Sequence, residues 1–442
     1  MPDQCFSKCR FIGYAIPTGP AQDQLILSKY LVGNYLGAVD VMQDLQARVQ
    51  ILKNAVDTAK AALPKGEDVT SVNNIFLAPE FFFHGNLGPY VFSEDKDDPA
   101  AIALGLLEET FNPTEYPNWT FVFGTMLTAK VADIEAVFQS PAVQARKNLV
   151  RNLALTAQAQ FGAARNTTEQ ILSDTINDLR TNPALEVRDR AIVMSNLGLS
   201  IAGSGSSLRS MTSEKYYLSP IDFVLFGTNN ENVVTEEMVA YPHIDLSGGD
   251  VKKHAFDKYA VFQQELGRDT QTKYLNFGIE ICLDHDDARL RKNLGRQKAH
   301  GSDLEIQVQL VPSSGSAIVQ QSVVAGANGF VFNCDGWCAF DSSSTPQQAN
   351  IGGVECVYVN YASQQGNITY SAHTQLARVK QGAKGNDPNV GSASFQSLDQ
   401  TDVVVVPVTE PSSVCGNLNQ YFAGGSGAIH IYGANAPYSL ES

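Results

Sequence analysis

What this chain lacks narrows its class before any motif is weighed. No run of about 20 apolar residues occurs in its 442 positions, so no membrane-spanning helix and no membrane partner are expected. The opening stretch, MPDQCFSKCRFIGYAIP, has no basic start followed by a long apolar core, so no signal peptide is expected. Basic charge is scarce: 31 Lys and Arg stand against 46 Asp and Glu, a formal net charge of −15. So acidic a fold repels a phosphate backbone, and nucleic acid is not an expected partner. Cysteine is sparse, scattered and odd in number, with seven in all, which argues against a disulfide scaffold and for a reducing cytoplasm. Cys5 with Cys9, and Cys334 with Cys338, are each separated by three residues, but no histidine lies close in sequence to either pair. A structural zinc is therefore not expected.

What is present is a globular composition, 43% hydrophobic and 17% charged, with material for a large core. Length alone suggests two to three domains, but large α/β enzymes often exceed that rule. Apolar runs of strand character occur at Arg10–Ile16, Asn74–Phe83, Trp119–Thr128, Arg190–Ile201, Tyr274–Ile281, Asp303–Val311, Gly329–Asn333, Val354–Asn360 and Thr401–Val408. Helical character is expected over Leu25–Leu63, where Leu45, Val49, Leu52 and Val56 recur at spacings of three and four. Ala288–His300 and Ser316–Asn328 are also expected as helices. Alternating strands and helices imply a layered α/β domain over residues 1–410. Residues 131–190, rich in Ala, Gln, Asn and Arg, read as a helical insertion, and 228–250 as a polar loop insertion. Residues 411–442, rich in Gly, Asn and Ser, read as an extended C-terminal arm.

Three polar residues stand out where apolar runs end or aromatics cluster. Tyr274–Ile281 leads into Cys282 and then the polar trio Asp284, His285 and Asp286. Cys282 reads either as one more small core residue or as a nucleophile presented at a strand exit. The run NIFLAPEFFF places Glu80 at the end of a buried strand beside Phe81, Phe82 and Phe83. An unpaired carboxylate there is costly, so Glu80 either turns to water or serves as a base whose pKa its apolar surroundings raise. Lys215, just before Tyr216, Tyr217 and Leu218, reads either as a surface lysine or as a partly buried stem with its ammonium directed inward.

Taken in order, these stretches resemble the nitrilase, or carbon–nitrogen hydrolase, superfamily. The Glu stretch is LAPEFF, the Lys stretch EKYYLSPID, the Cys stretch GIEICLDHDDARL, and GSDLEIQVQLVPSS with VVAGANGFVFN follow as in that family. The likeness spans about Arg10 to Val408. It implies a four-layer α-β-β-α sandwich, a homo-oligomer, no metal or organic cofactor, and a small-molecule amide or nitrile as partner. It also implies a Glu80–Lys215–Cys282 triad, with Asp222, Leu283, Asp284 and His84 as supporting or substrate-binding candidates. The chemistry is coherent in its own right: a thiolate attacks an amide carbon, a carboxylate carries the proton, and an ammonium with the Leu283 N–H holds the oxyanion. One such donor is typically worth roughly 3–4 kcal/mol.

The chain also departs from that pattern. The family's second glutamate has only Asp222 to match it, seven residues after Lys215. The 67 residues from Lys215 to Cys282 exceed the family's habit, and VKKHAF offers Lys253 as a rival. Leu-Asp follows Cys282 where nitrile-cleaving members show Trp-Glu, which favours an amide or carbamoyl substrate. Nitrile hydrolysis, acyl transfer, a non-catalytic binding protein keeping the fold, and a Cys282–His285 hydrolase remain as alternatives.

Overall fold

The computed structural model describes residues 6–19, 21–22, 33–66, 71–85, 88–131, 185–201, 207–216, 244–245, 256–268, 272–292, 305–341, 350–362, 368–384, 390–396, 398, 403–409, 418–422 and 424–440. Among these the fold is mixed α/β and strand-rich, built on one curled sheet of sixteen strands. In chain order its main elements are β1 (Lys8–Ala15), α1 (Val41–Ala62), β2 (Val72–Leu77), α2 (Pro99–Thr110), β3 (Trp119–Val131), β4 (Leu185–Ile201) and β5 (Ser207–Glu214). There follow β6 (Val261–Arg268), β7 (Thr272–Ile279), the one-turn α3 (Leu283–Asp286), β8 (Val308–Ser313), β9 (Phe330–Asp341), β10 (Val357–Ala362), β11 (Ile368–Gln381), β12 (Val404–Pro407) and β13 (Ala428–Tyr432).

The strand order is β10-β11-β9-β8-β7-β6-β4-β3-β2-β1-β13-β12, with β5 paired to β4 off the main path. Parallel pairs β1–β2–β3 and β7–β8–β9 form the cores of two halves, joined by antiparallel β4 and β6. Side chains alternate along a strand, and the two faces of the first half are buried differently. Ile12, Phe76, Phe121 and Phe123 meet Leu45, Leu52, Val56 and Leu107 of the two long helices. Their neighbours Phe11, Ile75, Leu77 and Val122 instead meet Phe277, Ile279, Leu310 and Phe332 of the second half. The curl thus brings β1 over β9, where the Phe11 ring lies 5.0 Å from Phe330 and 5.4 Å from Phe332.

α1 carries its apolar stripe on the spacing read from sequence, and Asp40 caps it by accepting from Gln43 N at 2.8 Å. It does not extend back to Leu25, because Gly33–Asn34 is already a short strand paired with Ala21–Gln22. Ser316–Asn328 is not a helix; only Gln320–Ser322 makes a single 3-10 turn. Buried side chains take the partners a helix would supply to its backbone amides. Gln375 accepts from Ile318 N at 2.8 Å, His285 Nε2 from Val319 N at 3.0 Å, and Gln309 from Val324 N at 2.7 Å. For Ala288–His300 the described residues end at Lys292, in the first turn of a helix. Residues 132–184 and most of 228–250 lie outside the described residues, and 185–190 already belong to β4.

The Gly-rich C-terminal stretch contributes a buried strand. β13 pairs antiparallel with β1, from Phe11↔Tyr432 to Ala15↔Ala428. Buried Arg10 fixes the turn beyond it, donating to the carbonyls of Gly433 at 3.0 Å and Ala434 at 3.1 Å and to Asn74 Oδ1 at 2.8 Å. No described helix is long and apolar enough to cross a membrane.

Candidate active site

Glu80, Lys215 and Cys282 each follow a strand by three residues or fewer, and all three are buried, at 0%, 3% and 7% exposure. β2 ends at Leu77 because Pro79 cannot continue the parallel ladder. The chain then turns sharply, with Phe81 at φ 58°. That turn is held by Glu80 N donating to Ser313 O at 3.2 Å, Thr18 Oγ1 to Glu80 O at 2.5 Å, and Phe81 N to Thr125 Oγ1 at 2.9 Å. Gly124, at φ 78°, lets β3 pass close enough to support it; a Cβ there would collide with the Pro79 carbonyl.

The second half makes an analogous turn after β7. Cys282 adopts φ 45° and ψ −108°, a conformation strained for a side chain-bearing residue. Its N–H donates to Pro312 O at 3.1 Å, and His285 N and Asp286 N return to its carbonyl at 2.8 and 3.2 Å. This strand–turn–helix geometry points Sγ out of the sheet, toward Ser314 O at 3.8 Å. The Leu283 N–H, next in line, makes no hydrogen bond among the described residues.

Lys215 enters from β5. Its N–H donates to Asp189 O at 2.9 Å. Its ammonium lies 2.7 Å from Glu80 Oε1, 3.7 Å from Asp189 Oδ2, and 5.3 Å from the centre of the Phe81 ring. Two buried carboxylates on one ammonium hold it in one orientation. Asp284 holds the next residue, accepting from Tyr216 N at 2.8 Å, and the Arg289 guanidinium covers the Tyr216 ring at 3.7 Å. The turn that presents the thiol therefore also fixes the lysine.

The Cys282 thiol titrates well above its ordinary range. Burial raises it most, the Glu80 carboxylate raises it further, and the Lys215 ammonium opposes them. The resting group is a neutral thiol, so attack requires proton removal as the bond forms. Glu80 bears on the sulfur electrostatically and is the carboxylate paired to the ammonium, a position suited to taking that proton.

The other candidates separate. Asp284 and Leu283 sit in the site; Asp222 and Lys253 lie outside the described residues. His84 packs elsewhere: its ring centre lies 4.3 Å from that of Tyr35, the planes tilted by 44°, and Nδ1 lies 3.4 Å from Arg48. Burial beside that guanidinium holds His84 well below the usual histidine range. His285 is also structural, with Nδ1 at 2.8 Å from Glu280 and Nε2 accepting from Val319 N. Both nitrogens are occupied, which removes the Cys282–His285 pairing.

Sequence reading missed Asp189, Tyr216 and Ser314. Asp189 left one signal, a charged residue within RDRAIVM, inside β4, but its meeting with Lys215 depends on the β4–β5 register that sets Arg190 opposite Glu214. Among the described residues no three His, Cys, Asp or Glu side chains converge in a way that could hold a metal. Compared with protein families and with curated proteins, the chain shows no significant match.

Proposed function

We propose that the chain is a carbon–nitrogen hydrolase of the nitrilase type, cleaving a non-peptide amide or carbamoyl bond through a thioester on Cys282. The observation that carries this reading is the convergence of a strained, turn-borne thiol with the Lys215–Glu80 ion pair at 2.7 Å, drawn from three strand ends. In the first step Cys282 Sγ bonds to the substrate carbonyl carbon while its proton passes to Glu80. The carbonyl oxygen becomes an oxyanion, held by Lys215 Nζ and the Leu283 N–H. Glu80 then returns the proton to the nitrogen, the C–N bond breaks, and ammonia or an amine leaves. Water resolves the thioester, giving its proton to Glu80 as the acid departs and the thiol re-forms. An amine in place of that water gives acyl transfer by the same groups.

Asp189 is a positioning residue in this scheme: it holds the ammonium without touching substrate. The reading also expects the four-layer α-β-β-α sandwich of that superfamily, a cytoplasmic setting and a homo-oligomer. For the first, support comes from α1 and α2 covering one half of the sheet while its other face packs on the second half.

The test is ammonia release from a panel of small amides, carbamoyl compounds and nitriles, with intact mass spectrometry for a covalent acyl adduct. Amides or carbamoyl compounds should turn over, and the adduct should map to Cys282. Turnover that survives Cys282→Ala would overturn the proposal.

A further inference from the structure

An open cleft of about 750 Å³ lies beside the nucleophile turn. Asp286, one helical turn after Cys282, forms part of its wall, as do Gly315 and Ser316, which follow the Ser314 carbonyl that faces the thiol. Asp335, Tyr358 and His373 line it too. Asp286 bears electrostatically on the Cys282 thiol and is itself influenced by the Lys215 ammonium, so cleft and reacting centre adjoin.

Two features show that the cleft is built to hold something. Asp335, 1% exposed and on β9, anchors the loop that follows β8: its Oδ2 accepts from Ser313 Oγ at 2.7 Å, Gly315 N at 2.7 Å and Ser316 N at 2.8 Å. His373, 5% exposed, lies with its ring centre 5.2 Å from that of Tyr358, the planes tilted by 42°, but neither ring nitrogen makes a hydrogen bond among the described residues. Its Nδ1 is 3.7 Å from Asp335 Oδ1, beyond hydrogen-bond reach. A buried imidazole with both nitrogens idle at a cavity wall is costly unless a ligand or water completes it.

The charge of the wall selects the ligand. Among the described residues two carboxylates line the cleft, and no lysine or arginine does. Burial holds His373 neutral, so one ring nitrogen can accept a hydrogen bond. An anionic group would meet two like charges; an ammonium would meet Asp286, which otherwise takes one hydrogen bond from Ser316 Oγ at 2.6 Å.

We infer that this cleft binds the distal end of the substrate and selects an amide carrying an ammonium group about one helical turn from its carbonyl. This deepens the hydrolase reading and rests on it for the identity of the reacting end. Residues i and i+4 of a helix lie about 5–6 Å apart, so a chain of four or five bonds spans Cys282 to Asp286.

The experiment compares three amides that differ only at the far end: 5-aminopentanamide, pentanamide and the anionic 4-carboxybutanamide. Binding is measured by calorimetry on full-length Cys282→Ala protein, where no turnover intervenes. The cationic amide should bind at least about tenfold tighter than pentanamide, the scale of one charge-assisted hydrogen bond, and the anion weakest. Adding Asp286→Asn, at an exposed position, should erase most of that preference while leaving pentanamide binding unchanged. Equal affinities, an anion preference, or a preference that survives Asp286→Asn would overturn the inference. Ammonia release is followed separately with the unsubstituted protein. Selective binding without release would sink the hydrolase reading and leave the cleft's specificity standing; release without selectivity would do the reverse.

Discussion

Neutralising Glu80 and removing Lys215 should have opposite signatures, because of the charge count at their shared site. Two buried carboxylates, Glu80 and Asp189, flank one ammonium at 2.7 and 3.7 Å. Glu80→Gln leaves Lys215 its contact with Asp189 at 3.7 Å and preserves the side chain's shape. Stability should stay within about 1 kcal/mol of the parent, while turnover falls at least about a hundredfold for lack of a proton carrier. Lys215→Met removes the cation that both carboxylates face, and removing one partner of a buried pair costs about 3–5 kcal/mol. The double substitution also removes the Glu80 charge and should recover part of that loss, a coupling that a double-mutant cycle reads directly. Urea unfolding of the four proteins, with ammonia release at saturating substrate, measures both axes. If Glu80→Gln is as destabilising as Lys215→Met while turnover stays within tenfold, Glu80 is a structural carboxylate and the assignment of the base fails.

Three further outcomes follow from the same geometry. Cys282→Ala should melt within a few degrees of the parent, since one small side chain replaces another, yet form no acyl adduct; an adduct on another cysteine in intact-mass mapping would move the nucleophile elsewhere. Lys215→Ala should abolish turnover while Lys253→Ala stays within a few-fold, a loss of an oxyanion donor costing roughly a hundredfold or more; the reverse result would transfer the role to Lys253. His430, buried and accepting or donating one bond with Thr374 Oγ1 at 2.8 Å, has its pKa lowered from 6.5 to about 3 by burial. The unfolded chain then binds the proton first, so stability falls as pH drops below 6.5 and continues down to about 3, with about 2 kcal/mol lost by pH 5. Unfolding midpoints at pH 7 and 5 should show a smaller acid loss in His430→Gln, and an unchanged loss would refute the assignment.

Glu80 and Cys282 stood out in the sequence because each breaks an apolar run at its exit, where the strand gives way to a turn. Lys215 was legible through its aromatic neighbours and its order in the chain. Asp189 was not, since a carboxylate inside a strand gains meaning only from the strand beside it. The expected helix at Ser316–Asn328 failed for a related reason: its backbone partners are Gln309, Gln375 and His285, residues distant in sequence. His285 had looked like chemistry because of its nearness to Cys282, but Glu280 and the Val319 amide use both of its nitrogens. Local pattern identified the strand ends; side chain-to-backbone bonds across long separations were beyond it.

The pairing of β13 with β1 also sets a timetable. β1 leaves the ribosome more than four hundred residues before the partner for one of its edges is made. Until residue 432 has emerged, the nascent chain carries a buried-type strand with one row of amides and carbonyls open, an invitation to pair with a neighbouring copy. Arg10 waits equally long for the carbonyls of Gly433 and Ala434. Truncation before Ala428 should therefore yield aggregation rather than a shorter working protein, although every residue of the proposed triad is retained. Closure of the sheet becomes a late proofreading step, completed only when synthesis has passed β13.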